Sequence, residues 1–241
     1  MLHRAGGKGA WQALAVAGLL VAGQVQAGTL MKVNELQVFR DGDVSNWLQG
    51  QNQILLDDFD NGNPLLGPNF ASGDAATYTA LGASNPLTVG ESGGQLLLDA
   101  ALADPSAGAT GSIGRSVRVR LNTNVADPNR GLPRSRSFAV IANLALDALP
   151  DRNAQFGLRM NDSFSDTSDL VELSLVHRAS GYGVLFRKQD FLGHTINDYG
   201  FEALTLPSTA SGLLLALVHP LAGSNNIGAA YATTTRARQR R

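Results

Sequence analysis

The sequence predicts an all-β chain folded as an antiparallel β-sandwich, and three observations carry that expectation. Apolar residues recur with period two in short runs, the signature of strands with one dry face. The runs are separated by Gly, Asn, Asp, Ser and Pro, residues that build turns and interrupt helices. No stretch alternates helix and strand signals, which argues against a parallel α/β arrangement.

Taken in order, the first 27 residues read as an export signal. Arg4 and Lys8 form a positive start, 13–23 (ALAVAGLLVAG) is apolar, and Val25-Gln26-Ala27 supplies the small residues of a cleavage site. Eleven apolar residues fall short of the roughly 20 that a membrane-spanning helix needs. The mature chain is therefore expected to begin at Gly28 and to be exported, to the periplasm, the cell surface or beyond, with no membrane span left. Residues 28–52 read as an N-terminal segment, with one short turn of helix over 43–48. The sandwich is expected over 53–231, and a basic, disordered tail over 232–241.

Within the sandwich, Val171, Leu173 and Leu175 face one way and Glu172 and Ser174 the other. Phe138, Val140, Ala142, Leu144 and Leu146 repeat the pattern, as do Val117, Val119 and Leu121 opposite Arg118 and Arg120. Tyr182, Val184 and Phe186 follow it, and so do Leu213, Leu215 and Leu217. Residues 53–59, 95–99, 155–160 and 226–231 complete a set of about nine strands. Ser180-Gly181 and the stretch 223–226 (GSNN) read as hairpin turns, because Gly and Asn tolerate positive φ.

Composition limits the partners. Removing 1–27 takes away two cations and no acids, so the formal net charge moves from −1 to about −3. That balance does not suit nucleic acid. Arg236, Arg238, Arg240 and Arg241 concentrate positive charge at the C-terminal end of an otherwise acidic body. Cysteine is absent, so neither disulfides nor thiolate metal sites contribute.

The order of the pieces has a likeness. Leu55-Leu56-Asp57-Asp58-Phe59 opens the series and 93–99 (GGQLLLD) follows; then come three strands over 155–188, and a closing pair runs from 213–217 to 227–231. This resembles the concanavalin A-like lectin and glucanase superfamily, in its secreted bacterial, LamG-like jelly-roll form. The resemblance implies a jelly roll, and a glycan as the partner of either a binding module or a glycan-cleaving enzyme. Glucanases of that superfamily set their acids as Glu-x-Asp-x-x-Glu along one strand, and this chain has no such run. Retaining glycosidases need two carboxyl groups about 5–5.5 Å apart, whereas Glu172 has no acid beside it on its strand.

The expected function is accordingly a non-catalytic binding or surface-interaction module, with a glycan-active hydrolase or lyase and a structural envelope or matrix protein as the alternatives. If the three strands of 155–188 pair in sequence order, Arg159, Glu172, Ser174 and Arg187 become neighbours on one polar face, a groove or simply the wet side of a sheet. Tyr182 is the candidate aromatic platform, which makes Arg159, Glu172, Tyr182 and Arg187 the expected ligand-binding set. No catalytic residue is assigned. His177, His194 and His219 lie in no nucleophile or zinc motif. Asp57, Asp58 and Asp60 gather hard oxygen donors beside a Gly turn, the chemistry a structural calcium ion would use, or else form a plain acidic turn.

Overall fold

The structure is a computed structural model, and it describes residues 16–23, 30–60, 69–70, 75–82, 88–99, 115–122, 132, 135–147, 154–161, 170–190, 195–206, 209–220 and 226–235. Its strands in chain order are β1 (Val16–Gly23), β2 (Leu30–Arg40), β3 (Gln53–Asp57), β4 (Asn69–Phe70) and β5 (Ala75–Gly82). Next come β6 (Thr88–Glu91), β7 (Leu96–Asp99), β8 (Arg115–Asn122), β9 (Phe138–Ala145) and β10 (Ala154–Asn161). The last are β11 (Leu170–Arg178), β12 (Gly181–Asp190), β13 (Thr195–Ala203), β14 (Ala210–His219) and β15 (Gly228–Thr235). One short helix, α1 (Val44–Leu48), lies between β2 and β3. The expectation of an all-β antiparallel sandwich holds.

Among the described residues the strands form two antiparallel sheets. The first runs β13-β12-β11-β10-β1-β8-β5, and the second runs β15-β14-β9-β2-β3-β4 with β7 also on β2 and β6 on β7. Their facing sides share one core. Phe156, Leu158, Leu173, Leu175, Val184 and Phe186 of the first sheet meet Val38, Val140, Leu144, Leu213, Leu215 and Leu217 of the second. Each such side chain stabilises the fold by about 1.5–3 kcal/mol relative to exposure. The period-two residues of 138–146, 171–175, 182–186 and 213–217 are therefore among those that join the two layers.

The second sheet starts earlier than expected. The segment 28–52 contains β2, an inner strand hydrogen-bonded to β3, β7 and β9. Its inward residues are Met31 and Val33, then Leu36 and Val38, a change of parity at a bulge where the pairing with β9 jumps from Val33 to Glu35. A bulge inserts a residue and reverses which side follows, so no single alternating run exists to be read. The apolar stretch assigned to an export signal overlaps β1, which pairs with β8 on one side and β10 on the other.

Two local devices set the connection from β2 to β3. Asp43 caps α1 by accepting the Asn46 backbone N–H at 3.0 Å, while the Asn46 side chain accepts from the Asp43 backbone at 3.0 Å. The capped turn presses Trp47 onto Phe39 and Ala139, on the side of the second sheet away from the core. The Trp47 indole N–H donates to the Asp41 carbonyl at 2.7 Å, so its polar end is satisfied. The β11–β12 hairpin turns at Ala179 and Ser180, with Gly181 at φ 110°. β14 and β15 pair antiparallel as the closing hairpin requires, and its connection, 221–225, lies outside the described residues.

Candidate functional site

Three consecutive strands place the expected residues. β10, β11 and β12 pair in sequence order, so Arg159 stands directly opposite Glu172, and Glu172 directly opposite Arg187. The next row on the same face is Gly157, Ser174 and Leu185. Both rows lie on the side of the first sheet away from the shared core, because Leu158, Leu173 and Phe186 take the opposite parity. A glutamate is thus held between two arginines across the strands.

This face is not the wet side of a sheet. Glu172 is 3% exposed and Ser174 is fully buried, and Leu170, Val176 and Leu185 around them are buried as well. β11 is therefore buried on both faces. Arg159 and Arg187 are half-buried. The Ser174 hydroxyl donates to Glu172 Oε1 at 2.7 Å, which gives the buried carboxylate a neutral donor beside it. Gly157 belongs to the same arrangement: a Cβ there would fall 2.1 Å from the Leu173 carbonyl oxygen and 2.5 Å from Ser174 Cα. Leu170, Val176 and Leu185, apolar residues out of phase with the core, were the signal in the sequence that this face is covered.

Tyr182 does not join the row. It shares parity with Val184 and Phe186, packs at the margin of the shared core, and stacks on His177 with ring centroids 4.1 Å apart. The expected ligand-binding set therefore divides into Arg159, Glu172 and Arg187 on one face and Tyr182 on the other. Of the histidines, His219 is buried at the end of β14, its Nδ1 2.9 Å from the Asn226 carbonyl oxygen. His194 lies outside the described residues.

The acidic turn separates its carboxylates. Asp57 is 2% exposed and its Oδ1 accepts the Phe59 backbone N–H at 2.9 Å, an Asx-type turn. Phe59 adopts φ 55° and drops its ring into the core. Asp58 and Asp60 are exposed. Among the described residues no group of three His, Cys, Asp or Glu side chains is placed to hold a metal ion. Asp58 acts instead on Glu35, whose carboxyl is pushed above its ordinary value, first by burial and then by the Asp58 charge, against a hydrogen bond from the Gln37 amide.

Set beside known protein families, characterised proteins and solved structures, the chain matches none.

Proposed function

We propose that this chain is an exported, non-catalytic binding or surface-interaction module of concanavalin A-like type, with a glycan as its ligand. The observation that carries the reading is the cross-strand row Arg159–Glu172–Arg187. A guanidinium presents planar N–H donors that match the oxygens of a sugar or a sugar carboxylate. Two of them stand on either side of Glu172 across neighbouring strands, which sets two such donor groups on one face. Their partial exposure leaves edges that a ligand reaches.

The same geometry speaks against catalysis at Glu172. The row holds one carboxylate among the described residues, and one of its oxygens accepts from Ser174, whereas double-displacement glycosidases use a pair. A structural envelope role is the second reading, favoured by the burial of Leu170, Ser174, Val176 and Leu185 on this face. The deciding experiment is a glycan array, spanning neutral and uronate-bearing glycans, probed with the exported protein and with Arg159→Gln and Arg187→Gln. Binding that both substitutions abolish while circular dichroism shows the fold retained supports the module. No binding by the wild type moves the assignment to the structural role, and release of reducing ends moves it to an enzyme. Mass analysis of the exported product tests the leader directly: cleavage after Ala27 gives a chain beginning at Gly28 and takes β1 out of the first sheet, leaving β8 and β10 without the strand between them, whereas an uncleaved product keeps that strand and removes the export reading.

A further inference from the structure

The sheet edges of this fold are not equally guarded. An edge strand presents unpaired N–H and C=O groups, and natural sheets blunt such edges with short strands, charges, proline or bulges. β4, at one end of the second sheet, has two residues. β13, at one end of the first, carries Asp198 and Glu202, and its register breaks where Phe186 pairs with Gly200 but Arg187 pairs with Asp198. β15, at the other end of the second sheet, is neither short nor charged, and the one irregularity in its pairing falls at its last residues, where Ala210 pairs with Thr235 and Gly212 with Thr234. It is eight residues long, GAAYATTT, without charge or proline.

That edge is exposed and firmly placed. Among the described residues β15 pairs with β14, and Ala230, Ala232, Thr233 and Thr235 are exposed. Tyr231 points inward to the shared core, and its phenol hydrogen-bonds Glu202 on β13, which ties the two neighbouring edges together.

We propose that β15 is an association edge that pairs antiparallel with β15 of a second copy of this chain. A twofold axis makes identical strands antiparallel, so each residue that meets another is met by it in turn. Every cross-strand pair then comes from Gly, Ala, Tyr and Thr, and no like charges meet in any register. The union makes the second sheets of two molecules one continuous sheet. It involves the second sheet and not the Arg159–Glu172–Arg187 row, which lies on the first.

The test is the mass of the full chain in solution by light scattering over a dilution series, with hydrogen exchange of the β15 amides measured alongside. The expected result is twice the chain mass at high concentration, falling to once on dilution as the β15 amides lose protection. Ala230→Lys with Ala232→Lys, which sets like charges along the seam, should stay at one chain mass with an unchanged circular dichroism spectrum. Leu48→Lys, at an 81% exposed position on α1, should still form the dimer. A single chain mass at every concentration, or β15 amides equally protected throughout, would overturn the proposal. Association that survives the double substitution would overturn it too. So would growth beyond two chains, which is what pairing of β15 with the likewise uncharged edge strand β5 (AATYTALG) of the next copy would produce.

Discussion

Replacing Glu172 by Ala tests whether the buried row is held by its carboxylate. Glu172 is 3% exposed, and Ser174, fully buried, donates to it at 2.7 Å. Truncation strands the Ser174 hydroxyl without that acceptor, a loss of about 1–3 kcal/mol for a buried polar group. It also removes the charge that Arg159 and Arg187 face across the strands, about 0.2–1 kcal/mol for each pair. Both arginines are half-buried, so the lower part of that range applies. The sum is about 1.4–4 kcal/mol, which for a domain of this size lowers the melting temperature by roughly 3–16 °C. Urea titration followed by circular dichroism gives the loss from the shift in midpoint at constant slope. Ser174→Ala and the double variant complete a cycle, with an expected coupling above about 0.5 kcal/mol because the two side chains touch. A loss under about 1 kcal/mol, or strict additivity in the cycle, would refute the reasoning.

The remaining predictions concern the two turns and the acidic patch. Asp43→Ala removes the acceptor that caps α1 and should cost about 1 kcal/mol, with a red shift of tryptophan emission as Trp47 leaves Phe39 and Ala139; an unchanged spectrum would separate the cap from the seating of Trp47. The Glu35 carboxyl titrates above its ordinary 4.5 in the folded chain, so the native state binds this proton more tightly than the unfolded state does. Its contribution is fully present below that ordinary value and is lost as the pH rises through the folded value. Glu35→Gln, neutral throughout, should therefore melt higher than wild type at neutral pH and level with it in acid, as a thermal series against pH will show. Calcium and chelator should leave the melting temperature unchanged, because Asp57 Oδ1 is committed to the Phe59 N–H; a rise that saturates with calcium would show a bound ion instead.

The sequence makes the layers legible because burial on one face of a strand imposes period two: 171–175 alternates apolar with polar residues, and 138–146 and 213–217 keep a large apolar residue or alanine at every second position. β2 breaks it. Its bulge at Val33–Glu35 moves the apolar set from odd to even positions, and its tip, Phe39, turns outward to meet Trp47 rather than inward. A strand buried in one phase, then in the other, looks in one dimension like an irregular apolar segment. α1 was legible for the opposite reason: its signal, Asp43 with Asn46 three residues on, is local and needs no partner strand.

The candidate site divides along the same line. That Arg159, Glu172 and Arg187 share a row follows from parity plus the pairing of strands joined in sequence order, and both can be read before any coordinates exist. What lies above the row cannot, since alternation separates the two faces of a sheet without saying what covers the second. Leu170, Val176 and Leu185 bear on this point: three aliphatic residues in the phase of Glu172 are costly on a wet face, and all three are buried. Glu172 is thus a carboxyl group kept in a largely apolar setting, where hydrogen bonds and facing guanidiniums have to take the place of water. On the proposed reading the half-buried arginines, rather than the buried glutamate, are the part of the row that a ligand would meet. Recognition at this face should accordingly follow the guanidiniums, so that Arg159→Lys or Arg187→Lys, which keeps the charge but loses the planar fork, weakens binding almost as much as removal does.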